Sequence, residues 1–371
     1  MKLRIKTDLL QDMVNKTSKG STNNKMIPLT SLMSINAENS KVSITTSDAV
    51  NFFTLSEIAE VAEPFSVVVK VELFSKLVAK TTSDYITLEL TDKSLSFTGN
   101  GTYKIELPFD EEGNLITFPT TTFTGDSQKG TIKLAAVKSI ILSNKPALAT
   151  SMDEPALTGY YCSPGKVISA DSFNICMNKL DTFPENVLVA PIVFDLLSMS
   201  DTEDINYEYT PEVIVFTTPK MRLYSRTMKG LESYPAAAVE ALSQNSFPSN
   251  CTLPKTAFVN VLDRLSLFIE DFDVNGVYLN FTTEGVKVSS TRATATELIP
   301  YQGSENFAPY TCLVQVDALK KQISARTGEL VNLHYGMDGA IKIVDNNITQ
   351  IIALIDESDE ETVADEEITE G

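Results

Sequence analysis

A domain-sized module recurs three times along this chain, and that recurrence constrains the fold more than any single motif. Each copy opens with an amphipathic helical stretch and crosses to a strand ending in a Ser/Thr/Ala/Asp cluster. A second amphipathic stretch follows, and two or three alternating strands close the copy. The clusters occupy residues 42–48, 166–171 and 285–291. The second helices are expected to begin at Val71, Pro191 and Val316, a spacing of about 120 residues. That is the size of a domain, far longer than a solenoid repeat.

With 371 residues the chain has room for two or three cores, and 43% hydrophobic residues fit an ordinary globular protein. No apolar run approaches the roughly 20 residues that span a bilayer. The start, Met1 to Lys6, alternates like a strand and lacks the apolar core of a signal peptide. Cys162, Cys176, Cys251 and Cys312 have no C-x-x-C spacing and are expected to be reduced core thiols. The single histidine, His334, falls in an alternating run and is expected on a strand surface. One histidine argues against most zinc sites and His-based triads. Phosphate-cradling glycine loops and calcium-loop spacings are absent from the sequence. No cofactor, no metal and no enzymatic activity are expected.

The net charge of −19 argues at first against nucleic acid, but nine acids crowd residues 356–371 and supply about half of that excess. This stretch, without aromatics, reads as a disordered acidic tail.

The copies are expected over residues 1–123, 124–245 and 246–355. In the first, a helix at 7–19 has Thr7 as N-cap. A second at 72–82 has Leu73, Phe74, Leu77 and Val78 inward, and the Gly99-Asn100-Gly101 turn signals a hairpin. In the second, helices are expected at 133–143 and from Pro191 to about 200, the proline opening its helix. In the third, a helix after Pro254 carries Phe258, Val261, Leu262, Leu265 and Phe268, and another spans 316–326.

About twelve cations lie on these six helical segments: Lys16, Lys19, Lys76, Lys80, Lys133, Lys138, Lys145, Lys255, Arg264, Lys320, Lys321 and Arg326. About six acids accompany them: Asp8, Asp12, Glu72, Asp195, Asp263 and Asp317. A cationic bias on a repeated element of an acidic chain suggests a path for the phosphate backbone, with contacts that are non-specific and weakened by salt. The second helix of copy two carries no base, so that sector is expected to be weakly charged.

The chain resembles the bacterial sliding clamp family, the beta subunit of DNA polymerase III, or a phage-encoded relative of it. The likeness rests on an ordered series of short matches. These are Asn24 to Leu29, Thr46-Ser47-Asp48 and Phe118-Pro119 in copy one; Leu157-Thr158-Gly159, Ser169-Ala170-Asp171 and Tyr234-Pro235 in copy two; and Leu253-Pro254-Lys255, Ser289-Ser290-Thr291 and the strand 350–355 in copy three. The resemblance implies an α+β fold of three tandem clamp domains, each with two helices on the inner face and β-sheets outside. It implies a head-to-tail homodimer closing into a ring, with Phe268 and Ile269 at the dimer joint. It places Lys25, in the 23–25 loop, beside duplex DNA. It implies a pocket for linear motifs of the DNA polymerase, the clamp loader and other clamp-motif proteins, at Leu157, Ala170, Ser172, Phe173, Asn174, Ile175, Leu242, Ile352, Ala353 and Leu354. The runs 172–175 and 352–354 depart from the common pattern of the family. A cytoplasmic, nucleoid-associated location is implied, or the host cytoplasm for a phage-encoded protein.

Two other readings are available. A tandem-domain β-rich structural or binding protein without DNA encirclement would predict an export signal or disulfides and no cationic bias on the helices. A hydrolase with paired carboxylates would use Asp48 and Asp171, which recur at equivalent positions but suit a strand-end turn.

Overall fold

The structure is a computed structural model of the chain, in which residues 1–123, 125–269 and 275–356 are described. Of the acidic stretch expected as a tail, residues 357–371 lie outside the described residues. Seven α-helices occur among the described residues: α1 (Thr7–Thr17), α2 (Val71–Ala79), α3 (Leu134–Ser143), α4 (Pro191–Leu197), α5 (Ala236–Gln244), α6 (Lys255–Leu265) and α7 (Val316–Ser324). None is long and apolar enough to cross a membrane.

The chain forms two compact units. One comprises residues 1–137 and 192–227; the other comprises residues 138–191 and the chain from Met228 onward. The second sequence copy is therefore shared between them.

In the first unit, an eight-stranded antiparallel sheet runs in the order Gln128–Lys133, Asp204–Tyr209, Val213–Thr217, Met221–Arg226, Asn51–Ile58, Lys41–Ser47, Leu32–Glu38, Phe65–Lys70. Copy-one and copy-two strands meet in its middle, where Leu223 faces Phe53. A five-stranded sheet beside it is built around Lys2–Lys6 and Tyr85–Leu90. Strict alternation in Lys2–Lys6 buries Leu3 and Ile5 and exposes the charged residues between them. The end of the first copy is fastened by Arg222, whose guanidinium donates to the Thr121 hydroxyl (2.7 Å) and carbonyl (3.2 Å). The Phe118 ring meets Phe52 edge-on at 6.0 Å.

In the second unit, a nine-stranded sheet joins copies two and three by pairing Asn174–Asn178 with Ile348–Ala353. A four-stranded sheet with Gly285–Ser290 in its interior completes the unit. Its core contains Phe258, Leu262, Phe281, Leu319, Tyr335 and Ile343, all fully buried. All four cysteines are free and buried, and desolvation pushes the Cys176, Cys251 and Cys312 thiols up to about 12.

One local arrangement recurs in all three copies. The strand entering the first helix pairs antiparallel with the strand that follows the second: Lys2–Lys6 with Tyr85–Leu90, Gln128–Lys133 with Asp204–Tyr209, and Ser249–Pro254 with Leu330–Met337. The first residue of each opening helix then donates its N–H across the same gap, Thr7 to Asp84 (3.0 Å), Leu134 to Glu203 (2.8 Å) and Lys255 to Glu329 (2.8 Å). Three copies of one hydrogen bond, at one point of one motif, make the triplication structural as well as sequential.

Several sequence expectations are corrected. Thr7 is the first helical residue, not the cap; Lys6 occupies the cap position, and the Thr7 hydroxyl donates to the Ser83 carbonyl. Leu73 is 52% exposed, because a nine-residue helix buries one narrow stripe, here Phe74 and Val78. Phe268 lies past the end of α6 in a 3₁₀ turn (Ser266–Phe268) and is exposed. Arg326 is not on an outer face: α7 ends at Ser324, and the next turn carries Arg326 inward to 4% exposure.

His334 faces Lys342 across paired strands and is half-buried. Burial, and secondarily the Lys342 charge, hold its pKa below the ordinary 6.5. The folded protein therefore binds fewer protons than the unfolded chain just below pH 6.5, and stability is lost as pH falls from there through the folded pKa. Because this is the one histidine, melting temperature should drop between pH 7 and 5.5 and the drop should shrink in His334→Gln; equal drops would refute the assignment.

Candidate nucleic-acid and partner-binding faces

The cations proposed for DNA contact divide by what holds them. Lys16 reaches Asp12 at 2.8 Å and Asp201 at 3.0 Å. Partial burial opposes charge on its ammonium, but the two carboxylates outweigh it and raise the pKa. Lys76 pairs with Glu72 at 2.6 Å, Lys133 with Asp204 and Lys320 with Asp263. Arg264 makes a bidentate contact to Glu297 at 2.7 and 2.6 Å. Lys255 is turned to a different task, donating to the Ser324 and Arg326 carbonyls at the end of α7. Lys145, exposed, opens a 3₁₀ turn that buries Ala147. Lys19, Lys25, Lys80, Lys138 and Lys321 are exposed and form no ion pair or hydrogen bond among the described residues.

Three of these partners, Asp201, Asp204 and Glu297, lie off the helices. Counting acids on the helical segments alone therefore overstated the positive bias. Lys25 sits in a loop shaped by Asn24, whose side-chain oxygen accepts the Met26 N–H at 2.9 Å, and Met26 at its tip is 91% exposed.

Asp48 and Asp171 play the same role in their copies. The Asp48 carboxylate accepts the backbone N–H of Val50 and Asn51 and the Asn51 amide at 2.7–2.9 Å. Asp171 accepts those of Phe173 and Asn174 at 2.8 and 2.6 Å and the Asn174 amide at 3.2 Å. Both are strand-end turn caps whose oxygens are occupied by donors.

The partner-pocket residues separate onto two faces of the nine-stranded sheet. Ala170, Ile175 and Ile351 are in register on one face. Ala170 and Ile175 pack there with Leu157, the stacked Tyr161 and Tyr234 rings (4.9 Å between centroids) and Val239 of α5. Phe173 is 42% exposed beside Asp171, and its carbonyl accepts the Ala353 N–H at 2.8 Å. Ser172 is exposed, as is Leu242 on α5. Ile352 points the other way, fully buried in the copy-three core, and Leu354 packs against that core. Asn174 is buried and spent on Asp171, so neither its side chain nor that of Ile352 contributes an accessible surface.

The sequence reading missed α5, which an alanine-rich run after Pro235 could have signalled, and Ile351. It also missed Lys342, which donates to the Asn245 carbonyl at 3.2 Å, just past α5, and lies 4.5 Å over the Phe247 ring. At the proposed dimer joint, Leu267 was overlooked; it is 81% exposed beside Phe268, whereas Ile269 packs against the copy-three core.

Residues 1–117 match the family model described as DNA polymerase III beta subunit, N-terminal domain. The beta sliding clamp of Staphylococcus epidermidis is 23% identical over 376 residues, covering 95% of this chain and 92% of that protein. The one from Staphylococcus aureus is 22% identical over 310 residues, covering 78% and 80%. The crystal structure of the DNA polymerase sliding clamp from Bacillus subtilis superposes with a TM-score of 0.83 at 20% identity, covering 96% of this chain and 99% of that one. The DNA polymerase III beta chain of Streptococcus pneumoniae superposes with a TM-score of 0.85 at 16% identity, covering 96% and 99%. The opening domain thus matches the N-terminal domain of that family, and the fold of the chain, nearly end to end, is that of the sliding clamps.

Proposed function

We propose that the chain is a DNA sliding clamp: a homodimer that encircles duplex DNA, tethers a replicative polymerase as its processivity factor and performs no chemistry itself. The observation that carries this reading is the threefold module, each copy closed by the same backbone hydrogen bond, in a fold shared along 96% of the chain with a DNA polymerase sliding clamp. A ring that holds DNA by enclosure has no need of tight or sequence-specific contacts, and exposed lysines on a strongly acidic chain suit that requirement. A clamp loader opens the ring. Polymerase, loader and repair proteins dock their linear motifs on the apolar face of Leu157, Ala170, Ile175 and Ala353, with Phe173 and Leu242 at hand. The three domains of the proposal are residues 1–123, 124–245 and 246–355. The site of action is the cytoplasm, at the nucleoid, or the host cytoplasm for a phage-encoded protein.

Loaded by a clamp loader and ATP, the protein should stay on nicked circular plasmid through gel filtration and run off the same plasmid once linearised. Equal retention on both forms would reject encirclement.

The proposed joint predicts its own variant. Leu267→Lys with Phe268→Lys should convert dimer to monomer in sedimentation velocity while leaving the circular-dichroism spectrum of the folded chain unchanged, since both side chains are exposed. A dimer unaffected by the pair would place the joint elsewhere.

The ion pairs predict salt behaviour. Asp204→Asn with Asp263→Asn releases Lys133 and Lys320. Affinity for short linear duplex should rise, and the slope of log K against log salt should steepen by about 1 to 2. Lys138→Ala should weaken binding equally on all sequences and flatten the slope by about 0.9. Unchanged slopes would remove these lysines from the DNA face.

A further inference from the structure

The strand pair that joins copy two to copy three carries a cluster of buried polar groups that no hydrogen bond satisfies. Gln322 on α7 and Arg326 just past its end are four residues apart, about one helical turn. Gln350 lies directly opposite Cys176 across the Asn174–Asn178 and Ile348–Ala353 pairing. Gln322, Gln350 and Cys176 are 0% exposed and Arg326 4%, and α7 packs on the Ile348–Ala353 strand. Both polar atoms of each carboxamide and all three guanidinium nitrogens lack a hydrogen-bond partner among the described residues. The Cys176 thiol is a neighbour of Gln350 and Arg326; it offers Gln350 a weak sulfur contact and leaves the Arg326 guanidinium and the Gln322 amide unsatisfied. One carboxylate oxygen, from the one-third-exposed Asp345, approaches Nη1 of Arg326 at 3.8 Å, beyond hydrogen-bond distance.

A buried guanidinium whose one carboxylate partner is too far to accept its hydrogen bonds still loses several kcal/mol of hydration, and so do unpaired buried amides. The cluster offers many more N–H donors than acceptors. The carbonyl end of α7, whose partial negative charge would repel an anion, is already met by the Lys255 ammonium. We infer that this cluster is a binding site for a small monovalent inorganic anion of the halide class, held by the Arg326 guanidinium and the amide groups of Gln322 and Gln350. A single buried positive charge suits a monoanion. A phosphate-like dianion would exceed it, a cation would be repelled, and water would leave the charge to the distant, partly exposed Asp345 alone. The bound ion ties α7 to the inter-copy strand pair, whose opposite face carries Ile175 and Ile351. The inference stands independently of the clamp reading.

Two measurements on the full chain decide it. In crystals grown with bromide replacing chloride, an anomalous peak is expected within hydrogen-bond distance of Arg326 and of Gln322 or Gln350. In sodium chloride the melting temperature is expected to exceed that in sodium gluconate of equal ionic strength by about 2–4 °C. Arg326→Met should abolish the difference; if that variant does not fold, Gln350→Met, which keeps the cation, should reduce it. Ordered water at Arg326 with bromide found elsewhere, or equal melting temperatures of the unaltered protein in the two salts, overturns the proposal.

Discussion

Everything in this fold hangs on the antiparallel pairing of the strand that enters each opening helix with the strand that leaves the second. The pairing fixes where the opening helix starts, because its first N–H has no intrahelical partner and finds one in the carbonyl preceding the returning strand. With both ends anchored, α1 packs on α2 and α6 on α7. Gln11 of α1 adds side-chain bonds to the Val78 and Thr81 carbonyls at 3.0 and 2.9 Å. The equivalent service in the third copy comes from Lys255. Different side chains fill one structural need, because the geometry is set by the backbone.

The copies are joined by the same means. Met221–Arg226 continues the sheet of copy one, and Ile348–Ala353 continues that of copy two. Joints made of main-chain ladders depend little on side-chain identity, which helps a fold persist at the 14–20% identity seen among its structural neighbours. It also explains why the compact units divide the chain through copy two rather than between copies: each unit is organised around a shared sheet.

The cationic set is moderated from within. Lys16, Lys76, Lys133, Lys320 and Arg264 each hold a carboxylate, and exposed pairs of this kind contribute little to stability. Their larger consequence is electrostatic. An anion that approaches such a cation competes with a resident acid, so these positions attract phosphate less than the unpaired lysines do.

The sequence by itself determined the triplication, most helix positions, the hairpins and the buried thiols. All of these are local or periodic: apolar spacing of about 3.6 or 2 residues, glycine and asparagine turns, and repeats in register. The capping roles of Asp48 and Asp171 were also foreseeable, since an Asx turn involves neighbours two and three residues away. The tertiary structure decided what depended on distant partners. Which cations are free rests on acids such as Asp204 and Glu297, remote in sequence from the positions they neutralise. That Ile352 points into a core while Ile351 lies on the face of Ala170 and Ile175 depends on strand register, in which a shift of one residue exchanges the faces. Arg326 looks like one more helix-surface cation in the sequence. Only the early end of α7 turns it inward, against a strand paired across two repeats.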